Sequence, residues 1–367
     1  MRAARLRRRL QRRYRQELTA LARRLAEQGE ADESAALKRL DNYSKVLARL
    51  PSPRRGWAVL FAVLCLAGAG ALWALRVPHT NIALKLRVEA LSLTLSRPWQ
   101  WRGDAPLAAG AAAVLGAWGR LDPGALGPEV SGPGRSAWAE LRAEHAALKA
   151  WRVGTGAELG LEAGETGLLW TVRGAPATGS LQAWGAVALK AGITGGALEA
   201  DREDVGNRRL MVPETLRFST SGEGRVPSRL SVTLAAPWRA HHLPVAALSF
   251  AREVSTEPGV FQFVSSVRGG TLSLLDSGET LSLREGEGLS LPGARGRLVS
   301  LSVGQRGIEL LFEGRADQVL LGPAGYRRNI APTYLAYYHH QEPLKFFWGA
   351  AGFLWAMLWG IRRMLWD

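Results

Sequence analysis

Two apolar runs constrain this chain more than any other feature: Trp57 to Leu75 near the front and Phe346 to Ile361 near the back, neither holding a charged side chain. As helices they would extend roughly 28 Å and roughly 24 Å, against a hydrocarbon thickness of ~30 Å. Read this way, the chain is a membrane protein with two transmembrane helices, at 56–76 and 344–362. Lys345 and Arg362 would carry their charges to the two head-group layers around the shorter one. Trp57, Trp73, Tyr337, Tyr338 and Trp348 stand where interfacial aromatic belts would lie. Ala67, Gly70, Ala71 and Ala74 in the first run, with Gly349 and Gly352 in the second, are small enough for close packing, within one chain or in a homo-oligomer. Neither run contains an ionisable side chain that could serve an ion path.

The formal charge of +15 is concentrated at the front. Residues 1 to 56 carry 16 Lys and Arg against 6 Asp and Glu, a net of +10, and the long segment between the apolar runs is nearly neutral. Positive residues beside a span stay on the cytoplasmic side. The expected layout is a basic cytoplasmic helical hairpin at 1–55, a domain outside the cytoplasm at 77–335, and a cytoplasmic tail at 363–367. The composition, rich in Ala, Gly, Arg and Leu, suits a bacterium with GC-rich DNA, so the expected home is the bacterial inner membrane with a periplasmic or extracellular domain. The long basic segment before the first run favours a retained anchor over a cleaved leader. Cys65 is the only cysteine, so the large domain contains no disulfide.

Leu6, Leu10, Tyr14, Leu18, Leu21 and Leu25 recur at helical steps, and a second helix carries Leu37, Leu40, Tyr43, Leu47 and Leu50. Arg7, Arg8, Arg9, Arg12, Arg13 and Arg15 occupy the remaining faces of the first, as contacts for lipid or a protein partner. The bilayer and protein partners on one or both sides are the expected associations. Nucleic acid is not, because no recognition helix, zinc site or aromatic platform accompanies the arginines.

The large segment reads as mainly β. Ile82, Leu84, Leu86 and Val88 alternate, then Leu91, Leu93 and Leu95 after a slip at Ala90, which marks a bulge. Short alternating runs separated by turn residues continue from Phe261 to Leu321 and predict a sandwich, jelly roll or β-roll. One helical insertion is expected near 134–152, with Ser136 as cap and Trp138, Leu141, His145, Leu148 and Trp151 on one side.

No motif carries catalysis. There is no Gly-x-Ser-x-Gly elbow, phosphate loop or His-Glu-x-x-His pair, and the doublets His241-His242 and His339-His340 lack the partners of a metal site. Asp201, Glu203 and Asp204 read as a solvated turn. No cofactor, metal or enzymatic activity is expected. The best binding candidate is Trp99 with Trp101, two rings on one face of a strand after Pro98. The expectation is a non-catalytic adaptor or subunit of an envelope complex, whose outer domain and basic hairpin each hold a partner. A transmembrane sensor is the alternative, and a tethered envelope enzyme the third reading.

Overall fold

A computed structural model describes residues 2–28, 34–49, 53–131, 136–164, 167–194, 203–204, 208–224, 226–257, 260–304, 307–323 and 326–366. They form five helices: α1 (Arg2–Gln28), α2 (Ser34–Arg49), α3 (Pro53–Ala74), α4 (Tyr334–Gln341) and α5 (Pro343–Trp366). The chain divides into a helical unit, Met1–Leu75 with Glu342–Asp367, and a strand-rich unit, Arg76–Gln341.

In the helical unit α1 packs on α2 and α3 on α5. Leu40 is buried, and Arg9, Arg12, Arg13 and Arg15 are exposed on α1; the side chains of Arg7 and Arg8 lie outside the described residues. Among the described residues no helix is long and apolar enough to cross a membrane. This corrects the expected fold class, which had two transmembrane helices, and with it the two-pass inner-membrane location. In α3 the uncharged stretch runs from Trp57 to Ala74, roughly 27 Å of helix, a little short of the ~30 Å hydrocarbon thickness. Small residues from Ala67 to Ala71 add little transfer free energy to it. In α5, Gly349, Gly352 and Gly360 and the polar-edged indoles of Trp348, Trp355 and Trp359 dilute the aliphatic content. Freedom from charge made both runs look like spans; apolar length and strength decide otherwise. Both helices nevertheless expose large apolar side chains, including Leu64, Leu66 and Trp73 on α3 and Trp348 and Trp355 on α5.

The strand-rich unit opens with β1 (Thr80–Val88), β2 (Ala90–Leu95), β3 (Trp99–Pro106), β4 (Ala112–Trp118), β5 (Arg120–Asp122) and β6 (Val130–Ser131). Next come β7 (Ser136–Val153), β8 (Glu158–Gly164), β9 (Gly167–Arg173) and β10 (Ala177–Thr194), of which β7 and β10 are the longest. Then follow β11 (Glu203–Asp204), β12 (Arg208–Thr220), β13 (Ser228–Val232) and β14 (Trp238–Ser249), and a separate hairpin of β15 (Ala251–Glu257) and β16 (Val260–Ser265). The last strands are β17 (Val267–Leu274), β18 (Glu279–Leu283), β19 (Leu289–Ser290), β20 (Arg295–Gly304), β21 (Gly307–Ala316), β22 (Leu320–Leu321) and β23 (Arg328–Asn329). Every described pairing is antiparallel, so one face of each strand can be buried while the other stays wet.

The sheet closes on itself twice, each time through a bent strand. β1 and β2 are separated only by Glu89, yet β1 pairs with β21 and β2 with β14, and β21–β20–β14 completes the circuit. β4 and β5 are separated only by Gly119, yet β4 pairs with β7 and β5 with β12, and β7–β10–β12 completes the second circuit. The ladder β2–β8–β9–β13–β4 joins the two. Bending one strand at a single residue lets its two halves serve two sides of a curled sheet, which leaves fewer exposed edges.

A continuous aromatic file runs through the shared core. Trp99 packs on Trp238 at 6.2 Å between ring centroids, Trp238 on Trp170 at 4.8 Å, Trp170 on Trp151 at 4.8 Å, Trp151 on Trp118 at 5.9 Å and Trp118 on Phe218 at 4.6 Å. The indole nitrogens of Trp151, Trp170 and Trp238 are buried without a hydrogen-bond partner. Tilted and edge-to-face packing offsets part of that cost by placing ring edges against π faces.

The helical insertion expected near 134–152 is instead β7, an 18-residue strand. Ala137, Ala139, Leu141 and Ala143 alternate inward, while Trp138 and His145 lie on the other face, so the apparent helical stripe joins two surfaces. An irregularity opposite Trp184–Val187 shifts the phase and brings Ala146 and Leu148 into the interior, and a second opposite Ser180–Leu181 shifts it back so that Trp151 and Val153 point inward. Ala, Leu, Glu and Lys favour a helix locally, but pairing with β10 along the whole strand outweighs that preference.

Candidate functional site

The outer face of the second circuit carries an ordered polar array. Alternation sends Trp99, Trp151, Val153, Gly179, Phe218 and Leu121 inward, so their neighbours face out. Register then aligns those neighbours across five strands. Gln100 stands opposite Arg152, Arg152 opposite Thr178, Thr178 opposite Ser219, and Ser219 opposite Arg120. Two residues further along, Arg102, Ala150, Ser180, Arg217 and Asp122 form a second row. Most of these residues line one open cleft of about 430 Å³.

The array holds four arginines and one aspartate. Arg120 is partnered by Glu129 at 2.6 Å and Arg217 lies 3.9 Å from Asp122. With the Gln100 amide oriented by its hydrogen bonds, its oxygen accepts from Arg102 Nε at 2.7 Å, leaving that charge uncompensated. The Arg152 guanidinium has neither hydrogen bond nor ion pair among the described residues. The hydroxyls of Thr178, Ser180 and Ser219 lie between the arginines. Guanidinium forks beside hydroxyl donors suit carboxylate or phosphate oxygens, and exposure makes the attraction sensitive to salt.

A second charge cluster, at the bend between β1 and β2, is internally paired. Glu89, at the bend between β1 and β2, is shared by Arg252 at 3.2 Å and by Arg268, which also pairs with Glu285. Hydrogen bonding to Glu89, then to Glu285, raises the Arg268 guanidinium above its ordinary value. A raised cation contributes fully at every pH below its ordinary value, which lies far above neutrality, so Arg268 introduces no stability change across the working pH range. Asp276 is a buried carboxylate that accepts from Asn81 N at 2.7 Å and Asn81 Nδ2 at 2.9 Å, tying the start of β1 to the turn after β17. It is fully used in structure. Asp276→Ala is expected to cost about 2 kcal/mol by stranding two donors, read as a lowered urea midpoint.

The residues singled out from sequence fall in several places. Trp99 is buried and Trp101 half-buried; both pack on Trp238, and Trp101 Nε1 donates to the Arg239 carbonyl at 3.0 Å. The rings share one face, and it is the inner one. Ala67, Ala71 and Ala74 are exposed, and Gly70, Gly349 and Gly352 have open space where a side chain would begin. The approach of α3 to α5 includes Gly360 beside the Phe61 ring. His145 is exposed and stacks on Trp184 at 5.4 Å. His241 and His242 both face outward because His242 adopts a left-handed φ of 57°, and their rings lie 6.4 Å apart. Among the described residues no group of three metal-ligating side chains occurs. Asp201 and the side chains of Glu203 and Asp204 lie outside the described residues.

Sequence reading missed the arginine array. Gln100 and Arg102 alternating with Trp99 and Trp101 is a local sign of an outward polar edge, but nothing local links it to Arg152, Arg217 or Arg120. No protein-family model, curated protein or solved structure matches the chain.

Proposed function

We propose that this chain is a non-catalytic adaptor: its strand-rich unit holds an acidic protein partner on the array of Arg102, Arg120, Arg152 and Arg217, and its helical unit holds a second protein. The carrying observation is the register that places four arginines and three hydroxyls on one outer face. A sheet face of this kind supplies electrostatic complementarity to an acidic partner. For the helical unit, support comes from the exposed apolar side chains of α3 and α5 and from the exposed arginines of α1.

The test is co-purification of the full chain from mild detergent, compared with a variant in which the four array arginines are changed to glutamate. At least one co-purifying protein should disappear from the variant and be displaced from the wild type by about 0.5 M salt, where screening is within a few ångströms. An unchanged partner set in the variant overturns the role given to the array. A wild-type chain that floats with protein-free vesicles and retains no protein overturns the adaptor reading.

A further inference from the structure

The arginines of the array are arranged as two pairs. Arg102 and Arg152 sit diagonally on the adjacent strands β3 and β7, and Arg217 and Arg120 sit diagonally on β12 and β5. Between them β10 contributes Thr178 and Ser180, with no charge. From one pair to the other is three strand spacings, roughly 14 Å. Diagonal neighbours on one sheet face are close enough for two long side chains to share one anionic group.

Resting on the adaptor reading, we propose that this face is a two-centre site for an extended acidic peptide segment whose carboxylates are four residues apart. An extended chain rises about 3.3 Å per residue, so side chains at i and i+4 lie on the same side, roughly 13 Å apart, matching the distance between the arginine pairs. The hydroxyls of Thr178, Ser180 and Ser219 lie beneath the intervening residues and can bond their backbone. Two features favour a peptide over a nucleic acid. No aromatic ring is among the outward residues of the two rows, so bases have no stacking platform. Asp122 stands inside the array beside Arg217, where it would repel a closely spaced run of phosphates but not a ligand with discrete acids.

The experiment uses the full chain and fluorescein-labelled Gly-Ser peptides bearing two aspartates at i,i+2, at i,i+4 or at i,i+6, read by anisotropy. The i,i+4 peptide should bind at least fivefold more tightly than either other peptide. R102Q/R152Q and R120Q/R217Q should each weaken it about tenfold, with circular dichroism unchanged because all four side chains are on the outer face. Equal binding of the three peptides, or loss confined to one arginine pair, overturns the two-centre geometry while leaving an acidic partner on this face intact. A quadruple Gln variant that binds as the wild type does overturns both. Oligo-dT of matched length that binds more tightly than the i,i+4 peptide overturns the choice of a peptide ligand.

Discussion

Trp151→Ala should lower the unfolding free energy of the strand-rich unit by about 4 kcal/mol, the range seen when a buried aromatic is truncated. Trp151 is 1% exposed and touches Trp170, Trp118 and Phe218, at centroid separations of 4.8, 5.9 and 5.7 Å. Removing it interrupts the aromatic file at its middle and leaves a cavity that the stiff strands β7, β9 and β12 cannot close. Its indole nitrogen has no hydrogen-bond partner, so the whole loss is packing and dispersion. Trp151→Phe, which keeps an aromatic ring in place, should therefore recover more than half of the deficit. Urea midpoints from circular dichroism would check both. A Trp151→Ala variant within about 1 kcal/mol of the wild type would show that the file does not hold the core together.

Gly270→Ala should destabilise by about 3 kcal/mol through a different cause. Gly270 lies in β17 between Leu86 of β1 and Leu283 of β18, with φ at 151°, a conformation that L side chains rarely adopt. A Cβ there would overlap the Lys85 carbonyl oxygen and lie 2.9 Å from Leu86 Cα. Both obstacles are backbone, so no rotamer change relieves them. Backbone strain of about 1–3 kcal/mol adds to an overpacking cost of similar size. Gly156→Ala is the control: φ is 77° there and a Cβ meets nothing within 4 Å, so strain acts without a clash and the cost should be about 1 kcal/mol. Equal effects at the two glycines would refute the close approach of β1 and β17.

Local pattern reached part of this structure. The alternation from Ile82 to Leu95 with its slip is β1, the bend at Glu89 and β2, because a pleat with one buried face writes itself directly into neighbouring residues. The two arginine-bearing and leucine-striped segments at the front are α1 and α2 for the same reason, with a helical period. The strand β7 was misread because its composition favours helix and a bulge disturbs its alternation. The apolar runs were misread as spans because freedom from charge is simple to see, whereas sufficient apolar length and strength is a stricter condition. Trp99 and Trp101 were correctly placed on one face by alternation, but which face is buried depends on Trp238, more than 130 residues away in the chain.

The amino-acid order by itself determined which side chains share a face wherever a regular period runs unbroken, as in β1, β2, α1 and α2, since that follows from backbone geometry over a few residues. The tertiary structure alone decided which strands become neighbours. Register between β3, β7, β10, β12 and β5 is what turns Gln100, Arg152, Thr178, Ser219 and Arg120 into one row, and register is set by the burial of the opposite face as the sheet curls closed.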